Sequence, residues 1–183
     1  MLQPNFNPFP EIETERLLLR KLKNEDADEI FELRSDENVM KYIGKDPITT
    51  INEATEFIHL VNNSLATNFG ITWAITLKET PGKLIGTIGH WRLMKEHYRA
   101  EVGYMLLPQF WKKGIMKEAL IKVIDYGFNE MKLHSIEAHI NPQNAASAAI
   151  LEATGFVREA YFKEDFFYKG EFSDTAIYSR LHV

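Results

Sequence analysis

The sequence predicts an α/β fold: a single domain, residues 1–183, with a mixed and mostly antiparallel central sheet flanked by helices. Three observations carry that reading. Apolar residues switch repeatedly along the chain between helical spacing and strand alternation. In the middle, three strand-like runs follow one another with only turns between them and lead into a long helix. The last third alternates strand, helix and two more strands. At 183 residues the chain has single-domain size, and no Ser-, Pro- or Gly-rich linker, internal repeat or low-complexity tract divides it.

Residues 1–10 hold Pro4, Pro8 and Pro10 with Asn5 and Asn7, a composition that predicts an extended arm. Arg16 to Arg20 is a short apolar run between charges, read as the first strand. Asn24 is placed to cap a helix through Ala27, Ile30, Phe31 and Arg34. A short helical piece from Val39 to Ile43 ends near Gly44. Thr50 and Glu53 have capping-box spacing, and Ala54, Phe57, Ile58, Val61 and Leu65 then share one face.

Ile71 to Leu77 alternates as a half-buried strand. Thr80-Pro81-Gly82-Lys83 reads as a turn, and Leu84 to Leu93 as the return strand of a hairpin. Gly86 and Gly89 inside it predict bulges or close backbone approach. A turn at Lys95 to Tyr98 leads to a strand over Ala100 to Leu107. Beyond Pro108 and Trp111, the spacing of Met116, Ala119, Leu120, Val123, Ile124, Gly127 and Phe128 gives one apolar helix face. Ser135 to Ile140 is a strand, and Asn144 caps a helix over Ala145 to Ala153 that stops at Gly155. Phe156 opens another strand, Lys169-Gly170 turns a hairpin, and Thr175 to Leu181 closes the sheet.

Bulk composition narrows the function. A net charge of −5 argues against a broad nucleic-acid surface and tolerates basic or amine-bearing substrates. With no cysteine, disulfides, thiolate zinc sites and a cysteine nucleophile are excluded. The first residues lack an apolar leader core and no run approaches 18 apolar residues, so a cytoplasmic protein free of the membrane is expected. No metal site is expected either: the six histidines do not pair at ligand spacing, and none is read as joining a carboxylate cluster.

The chemistry concentrates between Glu101 and Phe128. A strand runs into a turn with Gly114 and then into a helix N-terminus, whose first N–H groups have no intrahelical partner and whose dipole adds partial positive charge. Lys112, Lys113 and Lys117 surround it. This suits a phosphate or pyrophosphate, although many strand-turn-helix units with a glycine and lysines bind none. It is neither the Walker pattern nor the three-glycine dinucleotide pattern.

Four stretches, in order and spanning nearly the whole chain, resemble the GNAT-superfamily N-acetyltransferases, in the branch of Rim-type ribosomal-protein N-terminal acetyltransferases. They are Glu13 to Arg20; Ala100 to Tyr104 with Pro108, Trp111, Lys113-Gly114 and Glu118-Ala119; Asn141 to Phe156 with Asn144, Ser147 and Gly155; and Asp174 to Ser179. The family's loop has Gln or Arg where Trp111 stands and a small residue where Met116 stands, and the branch often has Thr in place of Lys117. The resemblance implies acetyl-CoA as cosubstrate, with its pyrophosphate on the amides of Lys112, Lys113, Gly114, Ile115, Met116 and Lys117. It implies pantetheine along Met105, Leu106 and Leu107, and the thioester near Glu101, Gly103 and Tyr104. The acceptor would be a primary amine, either a protein N-terminus or a small molecule, and a homodimer is compatible.

By the same resemblance Ser147 protonates the departing thiolate, the alternative being an ordinary first-turn serine. Asn144 is a cofactor contact or a plain N-cap, with the contact favoured. Glu101 leads as the group that receives the amine proton, directly or through water, against a structural ion pair. Glu164 and Asp165 lie where some relatives carry a catalytic glutamate, but Phe166 aligns best there. His90 is read as a core histidine and Asp174 as structural. The competing class is a CoA-binding module without catalysis.

Overall fold

The computed structural model describes residues 1–182. Its strands are β1 (Ile12–Glu13), β2 (Leu17–Lys21), β3 (Ile71–Leu77), β4 (Thr80–Met94), β5 (Arg99–Leu106), β6 (Ser135–Ile140), β7 (Val157–Tyr168) and β8 (Glu171–Leu181). They form one eight-stranded sheet in the order β1-β2-β3-β4-β5-β6-β8-β7. Every neighbouring pair is antiparallel except β5 and β6. That exception follows from the long helix between them, which returns the chain to the same end of the sheet.

The helices are α1 (Ala27–Ser35), α2 (Glu37–Met40), α3 (Ile51–Ala66), α4 (Ile115–Asn129) and α5 (Ala145–Ala153). On one side of the sheet, α4 buries Met116, Ala119, Leu120, Val123, Ile124 and Phe128 against Trp73, Ile88, Val102 and Ile136. On the other, Ile30 and Leu33 of α1 and Ala54 and Ile58 of α3 pack with Ala74, Leu84 and Leu107. The sheet is therefore covered on both faces, and β3 is buried along most of its length rather than half-buried.

Residues 1–10 form no helix or strand, as an extended arm should, but the arm is docked. Leu2 and Phe6 are buried, and the Pro10 carbonyl accepts the Trp73 indole N–H at 2.7 Å. Thr50 and Glu53 make the expected capping box at α3.

Some boundaries differ from those expected. Asn24 does not cap α1: it lies in a 3-10 turn, Asn24–Asp26. The Asp26 carboxylate accepts the Lys23 N–H and pairs with buried Arg20 at 2.7 Å. The hairpin turn sits at Lys78-Glu79, not at Thr80 to Lys83. Register shifts around Thr76 bring the strands together early, and the Pro81 and Gly82 carbonyls are held by the Arg20 guanidinium. The last hairpin is longer than its apolar pattern, because β8 begins at Glu171. α2 starts at Glu37, where the Asp36 side chain accepts the Asn38 and Val39 N–H groups, and ends by Met40.

One feature of the sheet positions the site. The β5–β6 ladder contains only Arg99↔Ser135, Ala100↔Ile136 and Glu101↔Glu137. Beyond Glu101, β5 stays with β4 as far as Leu106, while β6 stays with β8 as far as Ile140. The two strands splay into a wedge whose apex is Glu101 and Glu137.

Candidate active site

The mouth of the wedge is the loop between β5 and α4. Trp111 donates its indole N–H to the Leu106 carbonyl at 2.7 Å, and Gly114 takes the N-cap position at φ 74°, a conformation open to glycine at little cost. The first helical bond is Glu118 N–H to the Gly114 carbonyl at 3.0 Å. The N–H groups of Ile115, Met116 and Lys117 precede it and have no intrahelical partner. Ile115 and Met116 turn their side chains into the core, whereas Lys112, Lys113 and Lys117 are exposed. Met116 therefore leaves the cradle clear, although it replaces a small residue.

An anchor not found in the sequence holds this loop. Glu118 accepts from Thr14 Oγ1 at 2.5 Å, Arg16 N–H at 3.0 Å and Arg16 Nε at 2.7 Å. Arg16 Nη1 also donates to the Lys113 carbonyl at 3.0 Å. Burial pushes the Glu118 carboxyl upward, but these hydrogen bonds outweigh it and hold the group below its ordinary value.

Along the wedge, Leu107 N–H donates to the Ile85 carbonyl at 2.9 Å. Backbone polar groups alternate in direction along a strand, so Leu107 and Met105 point theirs at β4. Of Met105, Leu106 and Leu107, the stretch expected to run beside pantetheine, Leu106 is thus the residue whose backbone groups are directed away from β4. Leu106 and Tyr104 face the open edge, and the Leu106 carbonyl already serves Trp111.

Inside the wedge, Tyr104 Oη and Ser147 Oγ share a hydrogen bond of 2.7 Å. Ser147 is buried in the first turn of α5. Asn144 Oδ1 accepts the Ser147 N–H at 3.1 Å, so Asn144 caps α5 while its amide nitrogen remains for a ligand. Burial pushes the Tyr104 hydroxyl up to about 12, opposed by the bond from Ser147. The phenol thus stays a proton donor throughout the neutral range. Sequence reading brought Tyr104 close to the reacting centre but did not give it a chemical role.

At the apex, Glu101 is buried and accepts from Arg92 Nη1 at 3.0 Å. Burial raises its pKa above the ordinary value against the pull of His139 and Arg92. Glu137 stands beside it, paired with Arg99, with His139 Nε2 at 3.4 Å. The reading that no histidine joins a carboxylate cluster is therefore overturned: ligand-type atoms of Glu101, Glu137 and His139 lie within 4.8 Å of one another. The parallel register of β5 and β6 makes this cluster, and sequence spacing cannot show it. Arg92 and Arg99 each engage one of its two carboxylates.

Other candidates fall outside the wedge. His90 is buried, with Nε2 donating to the Val123 carbonyl at 2.9 Å, and burial lowers its pKa to about 4. It is a neutral core residue, as read from sequence. Asp174 accepts from Tyr161 and from Glu164 N–H, holding the β7–β8 hairpin. The Phe166 ring packs against Gly44.

A family model described as "Acetyltransferase (GNAT) domain" matches residues 16–157. The chain belongs to the GNAT acetyltransferase family. Its similarity to the uncharacterized N-acetyltransferase YoaA of Bacillus subtilis (strain 168) is 36% identity over 171 residues, covering 93% of this chain and 96% of the relative. A spermidine N-acetyltransferase from Vibrio cholerae, solved with CoA and spermine, superposes with a TM-score of 0.81 at 26% identity, over 92% of this chain and 96% of that one. A ribosomal-protein-S5-alanine acetyltransferase from Vibrio fischeri gives 0.82 at 26%, over 94% and 96%. In this GNAT acetyltransferase the family match takes in the β5–α4 loop, the wedge and α5. The arrangement offers helix N-terminal amides without intrahelical partners at its mouth, a protonated phenol within and a buried carboxylate at its apex.

Proposed function

We propose that the protein transfers an acetyl group from acetyl-CoA to a primary amine by direct attack on the thioester. The observation that carries this is the wedge itself, with free amides at its mouth and the Tyr104–Ser147 pair and Glu101 at its inner end. Acetyl-CoA is the acyl donor and supplies the activated acyl group. The N–H groups of residues 112–117, the α4 dipole and the three lysines hold its pyrophosphate. The open edge of β5, at Leu106 N–H and the Tyr104 backbone, lines its pantetheine arm as an added strand would. The Asn144 amide nitrogen is a further contact.

The incoming ammonium must lose a proton before its nitrogen can attack. Glu101 receives that proton, directly or through one water, and its raised pKa makes it a better acceptor near neutrality than an ordinary glutamate. The nitrogen–carbon bond then forms as the carbon–sulfur bond breaks. The departing thiolate takes a proton from the Tyr104–Ser147 pair, Tyr104 giving it directly or through the Ser147 hydroxyl. Either hydroxyl can donate in the bond they share, so the O–H of the pair not used in that bond is the one available to the sulfur.

The acceptor is a protein N-terminus, as a Rim-type branch assignment implies, or a small-molecule amine. The net charge of −5 disfavours nucleic acid as a partner, and the cytoplasm is the expected setting. The experiment is a thiol-release screen of acetyl-CoA against small amines and N-terminal peptides. Amine-dependent release of CoA supports the transferase. Tight acetyl-CoA binding with no release from any amine would transfer support to a binding module.

A further inference from the structure

Arg20 and Arg34 are both drawn into the protein, and their surroundings differ. Arg20 is compensated in full: it pairs with Asp26 through both terminal nitrogens and donates to the carbonyls of Pro81, Lys21 and Gly82. Arg34, near the end of α1, has no such partners. Its Nη1 donates only to the thioether of Met105 at 3.8 Å. Its guanidinium carbon lies 4.2 Å from the centre of the Phe57 ring, and its Nε is buried with no acceptor. Among the described residues no carboxylate forms a salt bridge with it. Burial alone acts on the group, lowering its pKa, with no neighbouring charge pulling it back. A guanidinium cannot shed its charge to relieve this.

Its position gives the missing partner a place. Met105 lies on the same face of β5 as Glu101 and Gly103, because side chains alternate along a strand. Residue spacing on a strand puts Met105 roughly 7 Å beyond Gly103 and about 13 Å beyond Glu101. α1 and α3 wall this face, and Arg34 itself is only half-buried. An acceptor entering from this side with its amine beside Gly103, one water away from Glu101, would present its far end to Arg34, which touches Met105.

We propose that Arg34 is an acceptor-binding residue that pairs with an anionic group, a carboxylate or phosphate, carried by the amine substrate about 7 Å from its nitrogen. This rests on the acetyltransferase reading above and narrows it: the substrate is an amino-acid-like amine, not a plain polyamine. Planar guanidinium geometry matches a carboxylate or phosphate through two parallel hydrogen bonds. The cation–π contact with Phe57 keeps the empty guanidinium in place.

The test measures kcat/KM for ω-amino acids from glycine to 6-aminohexanoate, each against its amide, with phosphoethanolamine and ethanolamine as a second pair and spermidine as a reference. Wild type should favour the charged member about tenfold to a hundredfold, with the best chain length in the middle of the series. Arg34→Gln should abolish that preference through KM while leaving the amides unchanged, and Arg34→Lys should restore part of it. Whichever charged pair shows the larger ratio identifies carboxylate or phosphate as the partner. Equal use of charged and neutral acceptors, or preference for spermidine, overturns the proposal. If no amine is acetylated, the site is decided by thermal unfolding with CoA and 4-aminobutyrate. A stabilisation by 4-aminobutyrate lost in Arg34→Gln upholds the anion site without the transferase, and identical responses overturn it.

Discussion

Tyr104 on β5 and Ser147 on α5 share a 2.7 Å hydrogen bond across the open side of the wedge. They are 43 residues apart in sequence, and neither hydroxyl alone shows in the sequence which of them carries the transferable proton. If the pair acts as a unit, Tyr104→Phe should lower kcat by about 10²-fold or more, in the range of positioned proton donors. Ser147→Ala should cost less, and the double variant should cost little more than Tyr104→Phe alone, because residues acting together are not additive. Costs that add in full would show that the two hydroxyls work separately.

Glu101 must be ionised to take a proton. Its raised pKa therefore places the acid limb of kcat/KM above the ordinary value of 4.5. Glu101→Gln should remove that limb and lower the rate by roughly 10²- to 10⁴-fold. Arg92 pulls the pKa of Glu101 down, so Arg92→Met should move the limb to higher pH. A limb that stays put in Arg92→Met would mean the titrating group is not Glu101.

Glu118, Thr14 and Arg16 fasten the β5–α4 loop to the turn between β1 and β2. Glu118→Gln should keep the fold while loosening the loop, raising KM for acetyl-CoA about tenfold, the equivalent of one charge-assisted hydrogen bond. kcat at saturating acetyl-CoA should be nearly unchanged. A fall in kcat with KM intact would place the role of Glu118 elsewhere.

His90 stores pH sensitivity in the core. Its pKa is about 4 in the folded protein against 6.5 in the unfolded chain. Between those values the unfolded state binds the extra proton, so stability is lost as pH falls from 6.5 toward 4, by up to about 3 kcal/mol. Denaturant titrations at pH 7 and pH 4.5 should show this drop, and His90→Gln should reduce it. Gly127 touches the same ring: a Cβ there would meet His90 Nε2 at 2.9 Å. Gly127→Ala should cost roughly 1–3 kcal/mol through overpacking.

The elements were legible where local physics decides them. The apolar face of α4, the Asn144 cap and the Thr50–Glu53 box rest on residues a few positions apart. The hairpin turn was misread because Pro81-Gly82 is a strong turn signal, whereas register shifts near Thr76 and the grip of Arg20 on the Pro81 carbonyl are tertiary effects. In the site, the loop and the carboxylate at Glu101 could be found from sequence. The Glu137–His139 neighbours of Glu101, the Glu118–Arg16 anchor and the uncompensated Arg34 could not, since each arises where distant strands and helices meet. Backbone direction along Met105 to Leu107 was equally hidden, because parity depends on which edge of β5 is already paired.

Acetyl-CoA binding in the wedge, with its pyrophosphate on the α4 N-terminus, is the step on which every proposed role depends. Thermal unfolding with and without acetyl-CoA, in wild type and in Gly114→Val, tests this most directly. At about 100 times its dissociation constant the ligand should stabilise wild type by roughly 2.7 kcal/mol. The stabilisation should be much smaller in Gly114→Val, where a β-branched residue cannot hold the φ of 74° that shapes the cradle. No stabilisation of wild type, or equal stabilisation of both, would rule out acetyl-CoA binding at the α4 N-terminus.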